Sequence, residues 1–151
     1  MIKFKLNHRW IILLTFALSS VLFSSCGDDE EALPTIEEYV TTNGLTTQVT
    51  SSGLHYIIEN EGTPPNPEVR NAITINYSGY LLNGQQFDSG SNVTFTLGNL
   101  IQGWQEGLQL IGSGGSIRLF IPANLAYGSR GAGSIPPNTD IGFDIDLISV
   151  Q

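Results

Sequence analysis

The chain has 151 residues, 40% of them hydrophobic, which is one domain's worth of core-forming sequence. Its 14 acidic residues outnumber six basic ones, and three of the basic residues lie within the first nine positions, so the remainder has a formal net charge of −11 and no lysine. Such an acidic surface repels phosphate backbones, so we expect no nucleic-acid partner.

The N-terminus has the layout of a secretory signal, with a basic start, an apolar run over residues 10–23 and small residues before Cys26. The run is shorter than the roughly 18–20 apolar residues of a membrane-spanning helix. Residues 23–26 resemble a bacterial lipobox, in which the cysteine is acylated and becomes the mature N-terminus. We therefore expect residues 1–25 to be a lipoprotein signal peptide, with Cys26 anchoring an exported protein to a bacterial membrane, at the periplasmic or surface face of the outer membrane. An ordinary cleaved signal with an incidental thiol is the alternative.

Residues 26–52 are expected to connect this anchor to the folded domain. The acidic cluster at 28–31 is typical of a solvated spacer, and it equally resembles the export tag of some surface lipoproteins. Thr35, followed three residues later by Glu38, forms a capping-box pattern that predicts a short helix to about Thr42. The threonine-rich stretch after it is predicted to be a linker or a loosely paired edge strand.

The folded domain should occupy residues 53–151. Apolar and polar residues alternate along several of its segments, which is the pattern of antiparallel strands with one solvent-exposed face. These segments are 54–58, 73–77, 93–97, 117–121 and 141–147. Asn83-Gly84 predicts a hairpin turn, and residues 122–139 a long loop.

One amphipathic helix is predicted within this domain, over Leu97–Ile111, because Ile101, Trp104, Leu108 and Ile111 share a narrow helical face. So short a helix is unstable alone, and the strands must cover its apolar face. The sequence thus predicts an α+β domain in which a bent antiparallel sheet of about five strands wraps around one short helix. Trp104 offers a large flat surface that could floor a pocket, although a plain core tryptophan is the alternative.

Short motifs along the domain resemble, in order, those of the FKBP-type peptidyl-prolyl cis-trans isomerases. They are Tyr77-Ser78-Gly79, Gly84 with Phe87-Asp88, Gly103-Trp104 with Glu106-Gly107, Ile121-Pro122, Ala126-Tyr127-Gly128, Ile135-Pro136-Pro137 and Phe143-Asp144. Each motif alone is common, but several in order at compatible spacing form a specific signal. The resemblance covers residues 53–151 and implies rotation of X-Pro bonds in exported proteins as the activity.

The resemblance also implies a site, transferred position by position. Its catalytic candidates are Trp104, on which the substrate proline would rest, the Ile101 N–H and the Tyr127 hydroxyl, which would bind substrate carbonyls, and the carboxylate of Asp88. Six further residues would form the walls that bind substrate: Tyr77, Phe87, Val93, Leu100, Ile135 and Phe143. From the residues alone, the aromatic ones could equally be core residues, and Asp88 a turn carboxylate.

The sequence departs from the family pattern around the rim of this pocket. Val93 stands where an aromatic residue is common, and the loop between Phe87 and Phe95 is shorter and lacks an arginine that often pairs with the aspartate. Ala132 and Ser134 replace bulkier residues. A shallower rim implies lower activity and weaker binding of macrolide inhibitors.

The implied reaction needs no nucleophile, metal or cofactor, because its barrier of about 18–20 kcal/mol comes from amide resonance. An apolar aromatic pocket removes water from the polar planar amide and so destabilises it relative to the twisted state. We expect no cofactor, proline-containing polypeptides as substrates, membrane attachment through the lipid, and a monomer. The alternatives are a non-catalytic peptide-binding or chaperone module, and an assembly lipoprotein with an FKBP-like domain.

Overall fold

A computed structural model describes residues 32–151, so the expected signal peptide, Cys26 and the acidic cluster lie outside the described residues. The elements in chain order are α1 (Ile36–Thr42), β1 (Gln48–Val49), β2 (His55–Asn60), β3 (Ala72–Leu81), β4 (Gln86–Thr96), α2 (Gln102–Leu108), β5 (Gly115–Ile121) and β6 (Ile141–Val150). Short 3₁₀ turns occupy Leu97–Asn99, Ala123–Leu125 and Gly128–Arg130. No helix between residues 32 and 151 is long and apolar enough to cross a membrane.

The described strands form one antiparallel sheet in the order β1-β2-β5-β6-β3-β4. This confirms the predicted α+β architecture with six strands in place of about five. The additional strand is β1, a two-residue edge in which Gln48 pairs with Tyr56. The predicted hairpin turn at Asn83-Gly84 joins β3 to β4.

The alternation predicted for the last strand is confirmed, because four apolar residues of β6 are buried while the two aspartates between them are exposed. The buried residues are Ile141, Phe143, Ile145 and Leu147, and the exposed ones are Asp144 and Asp146. The buried side chains of β6 join Trp104 and Leu108 of α2 in the main hydrophobic core. The core therefore lies between the sheet and α2, which places the indole next to the central strands.

The central helix is shorter than the predicted segment Leu97–Ile111. A 3₁₀ turn at Leu97–Asn99 is followed by extended backbone at Leu100 and Ile101, and only then does α2 begin. The N–H groups of Leu97 and Gly98 donate to the carbonyls of Asn71 and Val69, so the turn is tied to the segment before β3 and takes its position from that segment. Leu100 and Ile101 thus separate the 3₁₀ turn from α2, and both residues pack against the main core.

Helix α1 begins and ends where the capping box predicts. The Glu38 N–H donates to Oγ1 of Thr35 at 3.3 Å, and the Thr35 N–H donates to Oε2 of Glu38 at 2.9 Å. Ile36 packs with Leu82 and Phe120 in a second hydrophobic cluster. Phe120 alternates with the core-facing residues of β5, so α1 covers the face of the sheet opposite α2. The sequence pattern had not shown whether this segment packs on the domain.

Candidate active site

A cavity of about 330 Å³ opens between the sheet, α2 and the loop after β5. It is lined by nine residues: Tyr77, Asp88, Phe95, Asn99, Leu100, Ile101, Trp104, Tyr127 and Phe143. Most of the lining is aromatic or aliphatic, and the polar groups are one carboxylate, two tyrosine hydroxyls and the Asn99 amide. Such a cavity suits an apolar ring held by a few directional hydrogen bonds.

Trp104 forms the base of the cavity and is only 4% exposed. Its ring stands perpendicular to Phe143, with centroids 4.9 Å apart, and to Tyr77 at 5.2 Å. Helix α2 comes this close to the sheet because Gly103 has no side chain, since a Cβ there would lie 2.4 Å from Cγ2 of Ile121. The indole N–H is buried and has no hydrogen-bond partner among residues 32–151. The indole is thus fixed by ring packing and not by a polar anchor.

Phe87 packs against this base, since its ring meets that of Phe143 edge-on with centroids 5.5 Å apart. The two rings meet at Gly79, where a Cβ would lie 2.5 Å from the Phe143 ring and 2.8 Å from that of Phe87. Phe87, Phe143 and Gly79 therefore form one packed unit, of which Phe143 lines the cavity.

The carboxylate of Asp88 is fixed by two neutral donors. Its Oδ2 accepts a 2.9 Å hydrogen bond from the Tyr77 hydroxyl, and its Oδ1 accepts the Ser89 N–H at 2.8 Å. None of the ion pairs in the described part of the chain involves Asp88. Within the described residues the negative charge of Asp88 is therefore balanced by neutral hydrogen-bond donors and not by a cation.

Both tyrosines of the cavity remain protonated at neutral pH. Burial raises the pKa of Tyr77 to about 12, and the hydrogen bond to Asp88 and its negative charge add to the rise. Burial also raises the pKa of Tyr127, with a further contribution from the charge of Asp88. Among residues 32–151 no acceptor receives the Tyr127 hydroxyl, so this hydroxyl is free to donate into the cavity.

A second free donor lies on the extended backbone before α2. The carbonyl of Ile101 accepts the N–H of Trp104 and of Gln105, at 3.0 and 3.1 Å. The N–H of Ile101 itself reaches no acceptor within the described chain, and Ile101 lines the cavity. A partly buried backbone N–H without a partner is uncommon, because leaving it unpaired costs free energy. It is the type of donor that a bound carbonyl would satisfy.

The structure gathers seven of the ten predicted site residues around this cavity. The other three, Phe87, Val93 and Ile135, do not line it. Phe87 packs edge-on against Phe143, Val93 is a half-buried residue of β4, and Ile135 is buried in the core, so their contact with a substrate stays a prediction.

Two lining residues were not among the predicted site. Phe95 follows Val93 by two residues on β4, so both lie on the same face of the strand. The alternation of side chains along a strand could therefore have identified Phe95 once Val93 was a candidate. Asn99 is the exposed last residue of the 3₁₀ turn, and no sequence pattern marks it.

Comparison with known proteins agrees with this geometry. Residues 64–148 match the family described as FKBP-type peptidyl-prolyl cis-trans isomerase. The chain is 40% identical over 121 residues to the FKBP-type peptidyl-prolyl cis-trans isomerase FkpA of Aeromonas hydrophila, which covers 76% of this chain and 45% of that protein. The chain therefore spans about half the length of the curated relatives that it matches.

Two solved structures are similar in fold. The crystal structure of FkpA from Escherichia coli has a TM-score of 0.71 and 36% identity, over 76% of this chain and 57% of that one. A peptidyl-prolyl cis-trans isomerase from Pseudomonas syringae pv. tomato has a TM-score of 0.69 and 31% identity, over 76% of this chain and 90% of that one.

Proposed function

Because the chain belongs to the FKBP-type peptidyl-prolyl cis-trans isomerase family, we propose that it catalyses the rotation of X-Pro bonds in polypeptides, in the cavity floored by Trp104. One observation carries the proposal: Ile101, whose N–H is unpaired, and Tyr127, whose hydroxyl is free, line the same aromatic cavity. An aromatic floor with two donors beside it suits a proline ring flanked by peptide carbonyls.

The physical basis is the electronic structure of the amide. Resonance makes the planar amide polar, and rotation through about 90° breaks the resonance and reduces the charge separation. Water stabilises the planar form more than the twisted form. A cavity whose base is formed by Trp104 and Phe143 excludes water from the bond, so the planar form loses more stabilisation than the twisted one. Each 1.4 kcal/mol of this difference raises the rate about tenfold.

The two donors fix the chain on either side of the rotating bond. Hydrogen bonds from Ile101 and Tyr127 to substrate carbonyls would hold the peptide while the prolyl ring stays on the indole. They need no proton transfer, because both donors keep their protons at neutral pH. Asp88 contributes by fixing Tyr77 and by placing a negative charge at the edge of the cavity, where the proline nitrogen would become more basic as resonance is lost.

A protease-coupled isomerisation assay on a proline tetrapeptide tests the proposal. We expect turnover by the wild type, and a fall in kcat/KM of about fivefold for Tyr127→Phe, because one substrate hydrogen bond is lost. Asp88→Val should lower kcat/KM further than Tyr127→Phe, because the substitution removes the carboxylate from the cavity and leaves the Tyr77 hydroxyl without its acceptor. Tyr56→Phe is a matched control, since Tyr56 bonds to Gln48 on the edge strand, away from the cavity. Peptide binding by the wild type without turnover would instead support the non-catalytic module.

We also propose that the protein is exported, lipidated at Cys26 and held at a bacterial membrane, so that its substrates are exported polypeptides. The support is the N-terminal sequence alone: a basic start, a short apolar run and small residues before the single cysteine. Cells fed a palmitate analogue should label the wild type and not Cys26→Ser. Equal labelling of both would refute the lipid anchor without bearing on the isomerase site.

A further inference from the structure

The backbone segment from Leu97 to Ile101 contributes three residues to the cavity and has little intrinsic stability. Neither the 3₁₀ turn at its start nor α2 at its end has a side-chain cap on its first N–H groups. Leu100 and Ile101 are extended, and α2 is only seven residues long. The backbone bonds of Leu97 and Gly98 to Asn71 and Val69 hold its first half, so its second half needs a further contact from outside the segment.

Gln105 supplies that contact from the first turns of α2. Its side-chain Nε2 donates to the carbonyl of Leu100 at 2.7 Å and to the carbonyl of Gly98 at 3.2 Å. Both acceptors are carbonyl oxygens, so only the NH₂ end of the amide can make these bonds. The side chain thereby bonds to the residue before Asn99 and to the residue after it. The bond to Leu100 is the shorter of the two and is partly buried, which strengthens it relative to the exposed bond to Gly98.

We propose that Gln105 is a positioning residue for the isomerase site: by holding the carbonyls of Gly98 and Leu100, it sets the position of the Ile101 N–H beside the cavity. The inference rests on the proposed function, since it takes that N–H as a donor to substrate. The peptide unit that ends in the Ile101 N–H begins with the Leu100 carbonyl, so fixing the carbonyl fixes the plane of the N–H.

The chain offers a matched comparison on the same helix. Gln109 also donates through its side chain, at 2.7 Å, but to the carbonyl of Gln105, and it is exposed. Gln105→Glu and Gln109→Glu therefore introduce the same charge one turn apart. Only the first replaces a donor by a carboxylate that faces two loop carbonyls. Gln105→Lys keeps a donor of similar reach and serves as the rescue variant.

Steady-state isomerisation kinetics on the full chain test the proposal. A misplaced donor weakens binding in ground and transition state alike, so we expect KM to rise about tenfold in Gln105→Glu with kcat changed less than about twofold. Gln105→Lys and Gln109→Glu should keep KM within about twofold of wild type. A purely structural role would lower the active fraction, which reduces the apparent kcat and leaves KM unchanged. That result, or equal KM values for the two glutamate variants, would overturn the proposal.

Amide hydrogen exchange measured without substrate separates this inference from the proposed function. The Leu100 N–H donates to the Leu97 carbonyl at 3.1 Å, so a loosened segment should exchange this proton faster in Gln105→Glu and not in Gln109→Glu. Unchanged exchange would refute the anchoring role. Absence of turnover by the wild type would refute the proposed function, and the exchange comparison would still decide whether Gln105 holds the segment.

Discussion

Gly107 of α2 lies so close to Leu119 of β5 that a Cβ on the glycine would be 2.5 Å from Cδ2 of the leucine. Gly103 has the same relation to Ile121 one turn earlier. Two glycines four residues apart therefore form the face by which α2 contacts the sheet. This close contact sets the depth of Trp104, the residue after Gly103, and so the depth of the cavity.

We predict that Gly107→Ala destabilises the fold by about 1–3 kcal/mol, because the added methyl group overlaps a buried side chain. The sign of this change in stability is informative, because replacing glycine by alanine inside a helix ordinarily stabilises a protein by about 0.5–1 kcal/mol. Urea denaturation measures the difference. In Gly107→Ala/Leu119→Ala the space freed on β5 should accept the methyl group, so the double variant should lose less stability than the two single losses added together. An increase in stability for Gly107→Ala would contradict the close packing.

A second prediction concerns Asp140, which joins two distant parts of the chain. Its Oδ1 accepts the Ala123 N–H at 3.0 Å and its Oδ2 accepts the Ile36 N–H at 3.4 Å. Ala123 begins the turn that precedes Tyr127, so Asp140→Ala should loosen this loop, with a loss of about 1–3 kcal/mol in stability and a lower kcat/KM.

Denaturation and the isomerisation assay measure both effects of Asp140→Ala. Asp146→Ala is the control, because Asp146 is exposed and receives no hydrogen bond through its side chain from the described residues. Equal values for the two variants would mean that Asp140 does not support the loop.

Local patterns were sufficient to predict most elements of this fold. The strands were predictable because one face of an antiparallel sheet meets water, which imposes a period of two on β6, and α1 was predictable because Thr35 and Glu38 satisfy each other's backbone. The break at Leu100 and Ile101 was not predictable, because the turn before it is tied by backbone bonds to Val69 and Asn71, which are distant in sequence. A helical wheel shows which side chains of a segment are apolar, and it does not show which of its backbone groups bond to residues outside the segment.

The candidate site shows the same division. Trp104 and Tyr127 were predictable because they stand in ordered motifs. Asn99 and Gln105 were not, because the first reaches the cavity and the second reaches the Leu100 carbonyl only in the folded chain. Phe87 was predicted as a wall, and its contact with a substrate stays a prediction, since the structure shows it packed against Phe143 and Gly79.

A third prediction follows from the raised pKa of Tyr77, about 12 against an ordinary value of 10. In this interval the folded state holds a proton that the unfolded state has lost, so stability is unaffected below about pH 10 and falls as the pH rises toward 12. Tyr77→Phe should remove this contribution, so the unfolding free energy of the variant should fall less steeply with pH than that of the wild type. Denaturation at several alkaline pH values measures the slopes. Identical slopes would contradict the raised pKa.

The final prediction uses the indole as its own reporter. Trp10 and Trp104 are the two tryptophans of the chain, so a Trp10→Phe protein has all its tryptophan fluorescence from the cavity floor. A proline peptide bound over the indole replaces water and brings carbonyl dipoles near the ring, so its titration should change the emission in a saturable way. The midpoint should match the peptide's inhibition constant in the isomerisation assay, and the same peptide with alanine for proline should give a much smaller change. An equal response to both peptides would mean that the floor does not select the prolyl ring, even if turnover persists.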